Sequence, residues 1–194
     1  MTPPQDKRQA ILAATLELIA EGGFHGAPAA QIAARAGIGV GTIYRHFSDK
    51  DALIHALFQE QEQLLRQELC AQIPPEGDLR TRFLAVGLAM FRYFVRYPER
   101  FRFVEQYYHS PYGTQRKQEH YFGEGDGDDL APLVRLFRSG RSSGHLKAWP
   151  LSLMFALTIG PLSYLLRDCY AGFLKPDEAQ VEALLTIAWE AMRP

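Results

Sequence analysis

The sequence predicts an all-α protein. Apolar residues recur at three- and four-residue spacing through most of the chain, no stretch alternates apolar with polar residues as a strand would, and glycine or proline interrupts the pattern at helix-length intervals. With 194 residues, 47% of them hydrophobic and 22% charged, the composition is that of a globular protein. That length suits one integrated domain, or a small module joined to a larger one, and the composition excludes wholesale disorder.

The elements follow in order. From Lys7 to Glu21, Ile11, Leu12, Thr15, Leu18 and Ile19 fall on one helical face, and Gly22-Gly23 supplies the stop. Pro28 suits a first helical position, and Ile32, Ala33 and Ala36 form a short second stripe ended by Gly37-Ile38-Gly39. Val40 to Phe47 is a third short helix with Ile43 and Phe47 four apart. Ser48 then reads as an N-cap with Asp51 at the third helical position, opening a helix that carries Leu53, Ile54, Leu57, Phe58, Leu64, Leu65 and Leu69 to a stop at Pro74-Pro75. The Pro74 to Asp78 stretch is the best boundary. Beyond it lie helices at Leu79 to Tyr97, cut by Pro98, and at Pro98 to Tyr108, with a turn at His109 to Gly113 and an acidic glycine-rich loop at Gly123 to Asp129. Leu130 to Ser139, Leu151 to Asp168 and Pro176 to Met192 complete the helices, the last with Val181, Leu184, Leu185, Ala188 and Met192 on one face.

Net charge is −1, with +1 over residues 1–50 and −2 over the remainder, far from the basic stripe of a strong non-specific nucleic-acid binder. Cys70 and Cys169 form no CxxC pair, and the six histidines show no metal-ligand spacing, so no metal and no cofactor are expected. The apolar Leu151 to Leu166 segment has sixteen residues and is shorter than the ~20 needed to span a bilayer, so no membrane partner is expected. The N-terminus has no apolar signal core, and with the unpaired cysteines it points to a cytoplasmic protein. Gly140-Arg-Ser-Ser-Gly144 matches GxSxG, but it follows a helix in an all-helical chain instead of forming a strand-to-helix elbow. Asp126, Asp128 and Asp129 lack the rest of a calcium loop. No residue pair nominates an enzyme, and no catalytic residue is assigned.

The second and third segments form a helix, a glycine-containing turn and a helix within about twenty residues, the layout of a helix-turn-helix. Ile32, Ala36, Ile38, Ile43 and Phe47 can close a small core between them. That closure leaves Val40, Gly41, Thr42, Tyr44, Arg45 and His46 at or near the outer face, a set with hydroxyls for phosphates, a guanidinium for guanine and apolar contact for thymine. An ordinary helical hairpin would share the periodicity. The residues themselves go further. QIAARAGIGVGTIYRHFSDKDALI, residues 31–54, closely resembles the DNA-binding signature of the TetR family of bacterial repressors, and the resemblance is strong over residues 7 to 58.

That resemblance implies an N-terminal three-helix DNA-binding domain over 1–50, a connecting helix over 51–73, and a larger helical effector-binding and dimerisation domain over 79–194. It implies that the Val40 to Phe47 helix enters the major groove of a double-stranded DNA operator, with Val40, Gly41 and Arg45 nearest the base edges. Thr42, Tyr44, His46 and Lys50 take the family's phosphate-contacting positions. Gly39 stands where the family often has a serine cap, and Pro28-Ala29-Ala30 replaces a hydroxyl-containing start, so fewer side-chain phosphate contacts are expected at both. The helices at 151–168 and 176–192 would pair with those of a second copy into a four-helix homodimer interface.

Aromatic residues crowd the segment after Leu79. A packed core would produce the same stripe; the functional alternative is a cavity for a small-molecule effector, with Phe83, Gly87, Met90, Phe91 and Phe94 as one wall and Tyr107, His109, Phe137, Met154 and Thr158 supplying others. Such a lining suits a largely apolar, aromatic or cationic effector. The reading is a ligand-responsive homodimeric transcriptional regulator acting as a repressor on a palindromic operator. The alternative is a helical small-molecule sensor acting through a protein partner without DNA.

Overall fold

The computed structural model describes residues 4–74, 76–114 and 132–194. Among them is no strand; residues 111–114 are helical, where the sequence placed a turn, and nine α-helices are described end to end: α1 (Pro4–Gly22), α2 (Ala29–Arg35), α3 (Val40–His46), α4 (Lys50–Gln72), α5 (Leu79–Arg96), α6 (Pro98–Tyr108), α7 (Pro132–Ser142), α8 (Leu151–Tyr170) and α9 (Glu178–Met192). A 3-10 turn at Phe24–Gly26, which the periodicity did not indicate, links α1 to α2. The Gly123 to Asp129 loop and His120 lie outside the described residues.

The helices pack as two compact units. One comprises Met1–Leu64 and Tyr97–Thr114, the other Leu65–Arg96 and Gln115–Pro194. Helix α6 lies within the 79–194 stretch in sequence and packs with the N-terminal unit. Its Phe103 and Tyr107 join α1 and α4 in one core, with Phe58 stacked on Tyr107 at 3.8 Å and Gln106 donating to the Ile19 carbonyl at 3.1 Å. Periodicity identifies which face of a helix is apolar, and says nothing about which neighbour covers it.

In the N-terminal unit Ile11, Leu12, Ile19, Ile32, Ile43, Leu53, Ile54 and Leu57 are fully buried, and Thr15, equally buried, returns its hydroxyl to the Ile11 carbonyl at 2.7 Å. Two glycines are needed at helix ends. Gly23 (φ 70°) follows α1, and Gly37 (φ 66°) follows α2, where Ile38 N–H reaches the Ala33 carbonyl at 3.0 Å and Gly37 N–H the Ala34 carbonyl at 3.2 Å. This Schellman pair folds the turn back and seats Ile38 against the core.

Helix starts differ from expectation by a residue or two. Pro28 is the N-cap of α2, not its first residue. Asp49, not Ser48, caps α4: its Oδ1 accepts the Ala52 N–H at 2.7 Å, while the Ser48 hydroxyl donates to the other carboxylate oxygen at 3.0 Å. Helix α9 begins at Glu178 because Asp177 takes the cap, in a full capping box with Gln180.

The second unit is built on α5, whose Phe83, Val86, Met90, Phe91, Tyr93 and Phe94 are buried. The Phe83 ring lies 6.1 Å from that of Phe137 on α7 and 5.3 Å from that of Trp189 on α9. Helix α8 runs on through Pro161. On α9, Val181, Leu185, Ala188 and Met192 face this core as the sequence indicated, with Leu184 only half-buried at its margin. Among the described residues no helix is long and apolar enough to cross a membrane.

Candidate nucleic-acid interface

Helix α3 is seven residues long, too short to be stable in isolation. It is held by Ile43 and Phe47, 2% and 6% exposed, against Ile32, Ala33 and the partly buried Ala36 and Ile38. That anchoring settles the opposite face. Val40 is 39% exposed and Tyr44 53%, unusual for side chains of their kind; Gly41 and Arg45 are exposed, and Thr42 and His46 half-buried. Arg45 donates to the Thr42 hydroxyl at 3.1 Å, so the guanidinium lies along the helix one turn back. Gly39 caps α3 in an extended conformation with no side-chain hydrogen bond, and Pro28 likewise leaves α2 without one.

Of the expected DNA-binding residues, Gly39, Val40, Gly41, Tyr44 and Arg45 are exposed, while Thr42, His46 and, at the start of α4, Lys50 are half-buried. The Lys50 ammonium donates to the Phe24 carbonyl at 2.7 Å, tying the first residue of α4 to the 3-10 turn. Two of the three ammonium donors are left over from that bond. Arg8, on α1, stands 5.5 Å over the Phe47 ring and adds a cation behind α3. Arg35, by contrast, is committed: it pairs with Glu17 at 2.9 Å and Glu21 at 3.2 Å, and these carboxylates hold its guanidinium even more firmly protonated than usual.

The ten residues proposed from the sequence as an effector lining do not belong to one unit. Tyr107 is buried in the N-terminal core, accepting or donating a hydrogen bond at 3.0 Å with His55 Nδ1, and His109 is exposed at the end of α6. The other eight lie in the second unit. Phe83 and Phe137 are packed together, Thr158 returns its hydroxyl to the Met154 carbonyl at 3.0 Å, and Gly87 admits Leu185 so closely that a Cβ there would lie 2.6 Å from it. Ser142 of the GxSxG match hydrogen-bonds the Ser139 carbonyl at the exposed end of α7. Among the described residues no cluster of three or more His, Cys, Asp or Glu could hold a metal ion.

A helix-turn-helix with this exposed face agrees with comparisons to known proteins. A family model for bacterial regulatory proteins of the tetR family matches residues 11–57, and one for a tetracyclin repressor-like C-terminal domain matches residues 78–193. The chain belongs to the TetR family. It is a DNA-binding transcriptional regulator and not an enzyme. A TetR-family regulator from Marinobacter aquaeolei VT8 is similar over 97% of this chain and 96% of its own, with 26% identity and a TM-score of 0.84. A TetR-family regulator from Shewanella sp. PV-4, described in its own report as putative, gives 28% identity, 97% and 98% coverage and a TM-score of 0.83. The HTH-type transcriptional regulator BetI of Escherichia coli is 37% identical over 82 residues, which is 41% of this chain and 42% of that relative. The matched stretch thus spans less than half the length of those curated relatives.

Proposed function

We propose that this TetR-family regulator is a homodimeric repressor that binds a palindromic operator and is released by a small, largely apolar effector. The observation that carries the reading is the outward presentation of Val40, Tyr44 and Arg45 on a helix whose other face is locked by Ile43 and Phe47. Val40 and Gly41 let α3 lie close against base edges, and Arg45 is the one long donor on the helix. A bidentate arginine–guanine pair supplies about 1–3 kcal/mol of discrimination. Thr42, Tyr44, His46 and Lys50 hold the flanking phosphates, which fix register without reading sequence.

The dimer reading is supported by apolar surface in the second unit. On α8, Leu153, Ala156, Gly160 and Tyr164 are exposed at helical spacing; on α9, Ala183, Ile187 and Ala191 are. Tyr164 is 65% and Ile187 69% exposed, and beyond α8 Phe173 is 82% exposed. These are two faces of small and large apolar residues, suited to close packing against helices of a second copy. Two-fold symmetry would set two α3 helices in successive major grooves, about 34–36 Å apart.

The effector belongs with the apolar layer of α5, α7 and α8, where Met90 and Met154 are buried and the Phe83 and Phe137 rings lie 6.1 Å apart. An effector that favours a conformation with the wrong spacing of recognition helices lowers operator affinity by the same coupling with which operator opposes the effector, typically about 1–3 kcal/mol. Sheared genomic DNA retained by the purified protein and then sequenced tests the reading, with a Tyr44→Ala/Lys50→Ala double variant as control. Recovery of a two-fold-symmetric site by the native chain alone supports it. No enrichment at low salt would favour a sensor that works without DNA.

A further inference from the structure

One tyrosine outside the helix-turn-helix reaches both Asp51, the next residue after Lys50, and Phe24, the residue that holds the Lys50 ammonium. Tyr112 stands four positions beyond the end of α6, next to Gly113. A Cβ at Gly113 would lie 2.5 Å from the Tyr107 carbonyl oxygen and 2.6 Å from Tyr108 Cα, so only glycine lets the chain fold back this tightly on the last turn of α6. The fold-back delivers Tyr112 to the start of α4. Its hydroxyl donates to Asp51 Oδ1 at 2.8 Å, its ring meets His55 edge-on at 5.7 Å, and it packs 5.3 Å from the Phe24 ring. Phe24 is the residue whose carbonyl holds the Lys50 ammonium. Burial, reinforced by the Asp51 carboxylate, raises the Tyr112 phenol to about 12, so it remains a donor throughout the neutral range.

Both carboxylates flanking Lys50 are therefore engaged, Asp49 by the Ala52 N–H and Ser48, and Asp51 by Tyr112. Lys50 rests instead on a neutral carbonyl, which leaves its full charge and two donors unspent. We propose that Tyr112 is a positioning residue for DNA binding: by holding the Asp51 carboxylate aside and bracing Phe24, it keeps the Lys50 ammonium available to a phosphate. Without the Tyr112 hydroxyl, Asp51 is the acid adjacent in sequence that competes with phosphate for that ammonium. The inference rests on the reading of Lys50 as a phosphate contact.

The test uses the full chain and a duplex of fixed sequence that the wild-type protein selects from random DNA, with dissociation constants measured across a salt series. Lys50→Met should lower the slope of log affinity against log salt by about 0.9, one phosphate's worth. Tyr112→Phe, which keeps the ring, should weaken binding about three- to eight-fold and shift the slope in the same direction. It should have no further effect in the Lys50→Met background, and Asp51→Asn should restore wild-type affinity to Tyr112→Phe by removing the competing charge. Wild-type affinity in Tyr112→Phe, additivity with Lys50→Met, or failure of Asp51→Asn to restore binding would each overturn the inference while leaving the DNA-binding reading intact. A Lys50→Met slope equal to wild type would remove the phosphate contact itself, and the inference with it. Asp51→Asn alone keeps every aromatic contact; it should bind at least as well as wild type, and a loss of affinity there counts against the proposal.

Discussion

Each unit leaves large apolar side chains exposed, but on faces of different make-up. In the N-terminal unit they are Val40 and Tyr44, interleaved with Thr42, Arg45 and His46 on a seven-residue helix. In the second unit, Leu153, Tyr164 and Ile187 alternate with Ala156, Gly160, Ala183 and Ala191 on helices of 20 and 15 residues. A face that mixes hydroxyl, guanidinium and apolar groups matches an irregular polar target such as a groove edge with its phosphates. A face of small and large apolar groups, with the Tyr164 phenol as its hydrogen-bonding group, is satisfied chiefly by close packing against another such face. The helix starts differ too, though not by unit, since α6 and α8 also begin without a side-chain cap. Asp49, Asp78 and Asp177 each accept a hydrogen bond from the third helical N–H of α4, α5 and α9, while α2 and α3 start without any side-chain cap. Helices α2 and α3 thus depend for their order on the core beneath them.

The largest expected effect comes from charging the apolar face. Tyr164→Asp with Ile187→Asp should leave the fold intact, since both side chains are mostly exposed, and convert a dimer to a monomer in sedimentation. Losing the second recognition helix should lower operator affinity by about 10²–10⁴, the usual size of a bivalent gain. A variant that remains dimeric would break the contrast between the two faces.

Next in size is the mixed face itself. Arg45→Ala should flatten sequence preference at one base pair per half-site, by about 1–3 kcal/mol, with little effect on binding to unrelated DNA. Selection from random duplexes by native and variant chains reads this directly. An unchanged preference would move specificity away from α3's long donor and onto groove shape.

The two units were also unequally legible in the sequence. The N-terminal helices could be read because their signals are local. Gly23 and Gly37 mark stops, and Ile32, Ile43 and Phe47 fall at spacings that close a core within about twenty residues. What escaped was every contact made across long sequence separation. Lys50 reaches Phe24, 26 residues away, and Tyr112 reaches Asp51, 61 residues away, and no periodicity encodes either. The stripe on α6 looked like that on α5, yet one closes the N-terminal core and the other the second. The expected effector lining meets the same limit, because Tyr107 and Phe83 are both buried aromatics and only tertiary structure assigns them to different units.

Two glycines sharpen the comparison with a change of sign. At Gly140, a Cβ would lie 2.5 Å from Leu146 Cδ1 and 2.7 Å from Leu79 Cδ2, so Gly140→Ala should destabilise the second unit by about 1–3 kcal/mol through overpacking. At Gly41, nothing lies within 4 Å, and alanine inside a helix should stabilise by about 0.5–1 kcal/mol. The same Gly41→Ala change should weaken operator binding, because a methyl group is added on the face turned to the bases. Urea unfolding and operator titration of both variants separate these effects; a Gly41→Ala protein that is more stable and binds DNA as tightly as wild type would place Gly41 away from the groove.

The smallest expected effect is a pH dependence that distinguishes capped from uncapped helices. Asp49 and Asp78 are held below the usual carboxylate range, chiefly by the Ala52 and Thr81 backbone N–H groups, and Glu178 by hydrogen bonds from Arg92 at 2.6 and 2.7 Å. A carboxyl whose pKa is lower folded than unfolded stabilises the fold fully above its ordinary value, near 4, and loses that contribution as pH falls through the lowered native value. Urea midpoints should therefore be flat near neutrality and decline below about pH 5, with the steepest loss under pH 4. Asn still accepts a cap hydrogen bond but does not titrate, so Asp49→Asn and Asp78→Asn should each make the acid decline shallower while changing stability at pH 3 little. Helices α2 and α3, which start without a carboxylate, should lose amide protection in acid only as far as their shared core does. If α3 amides open before those of the Asp-capped α4, the recognition helix has an acid sensitivity of its own, and the exposed face is less firmly held by Ile43 and Phe47 than their burial indicates.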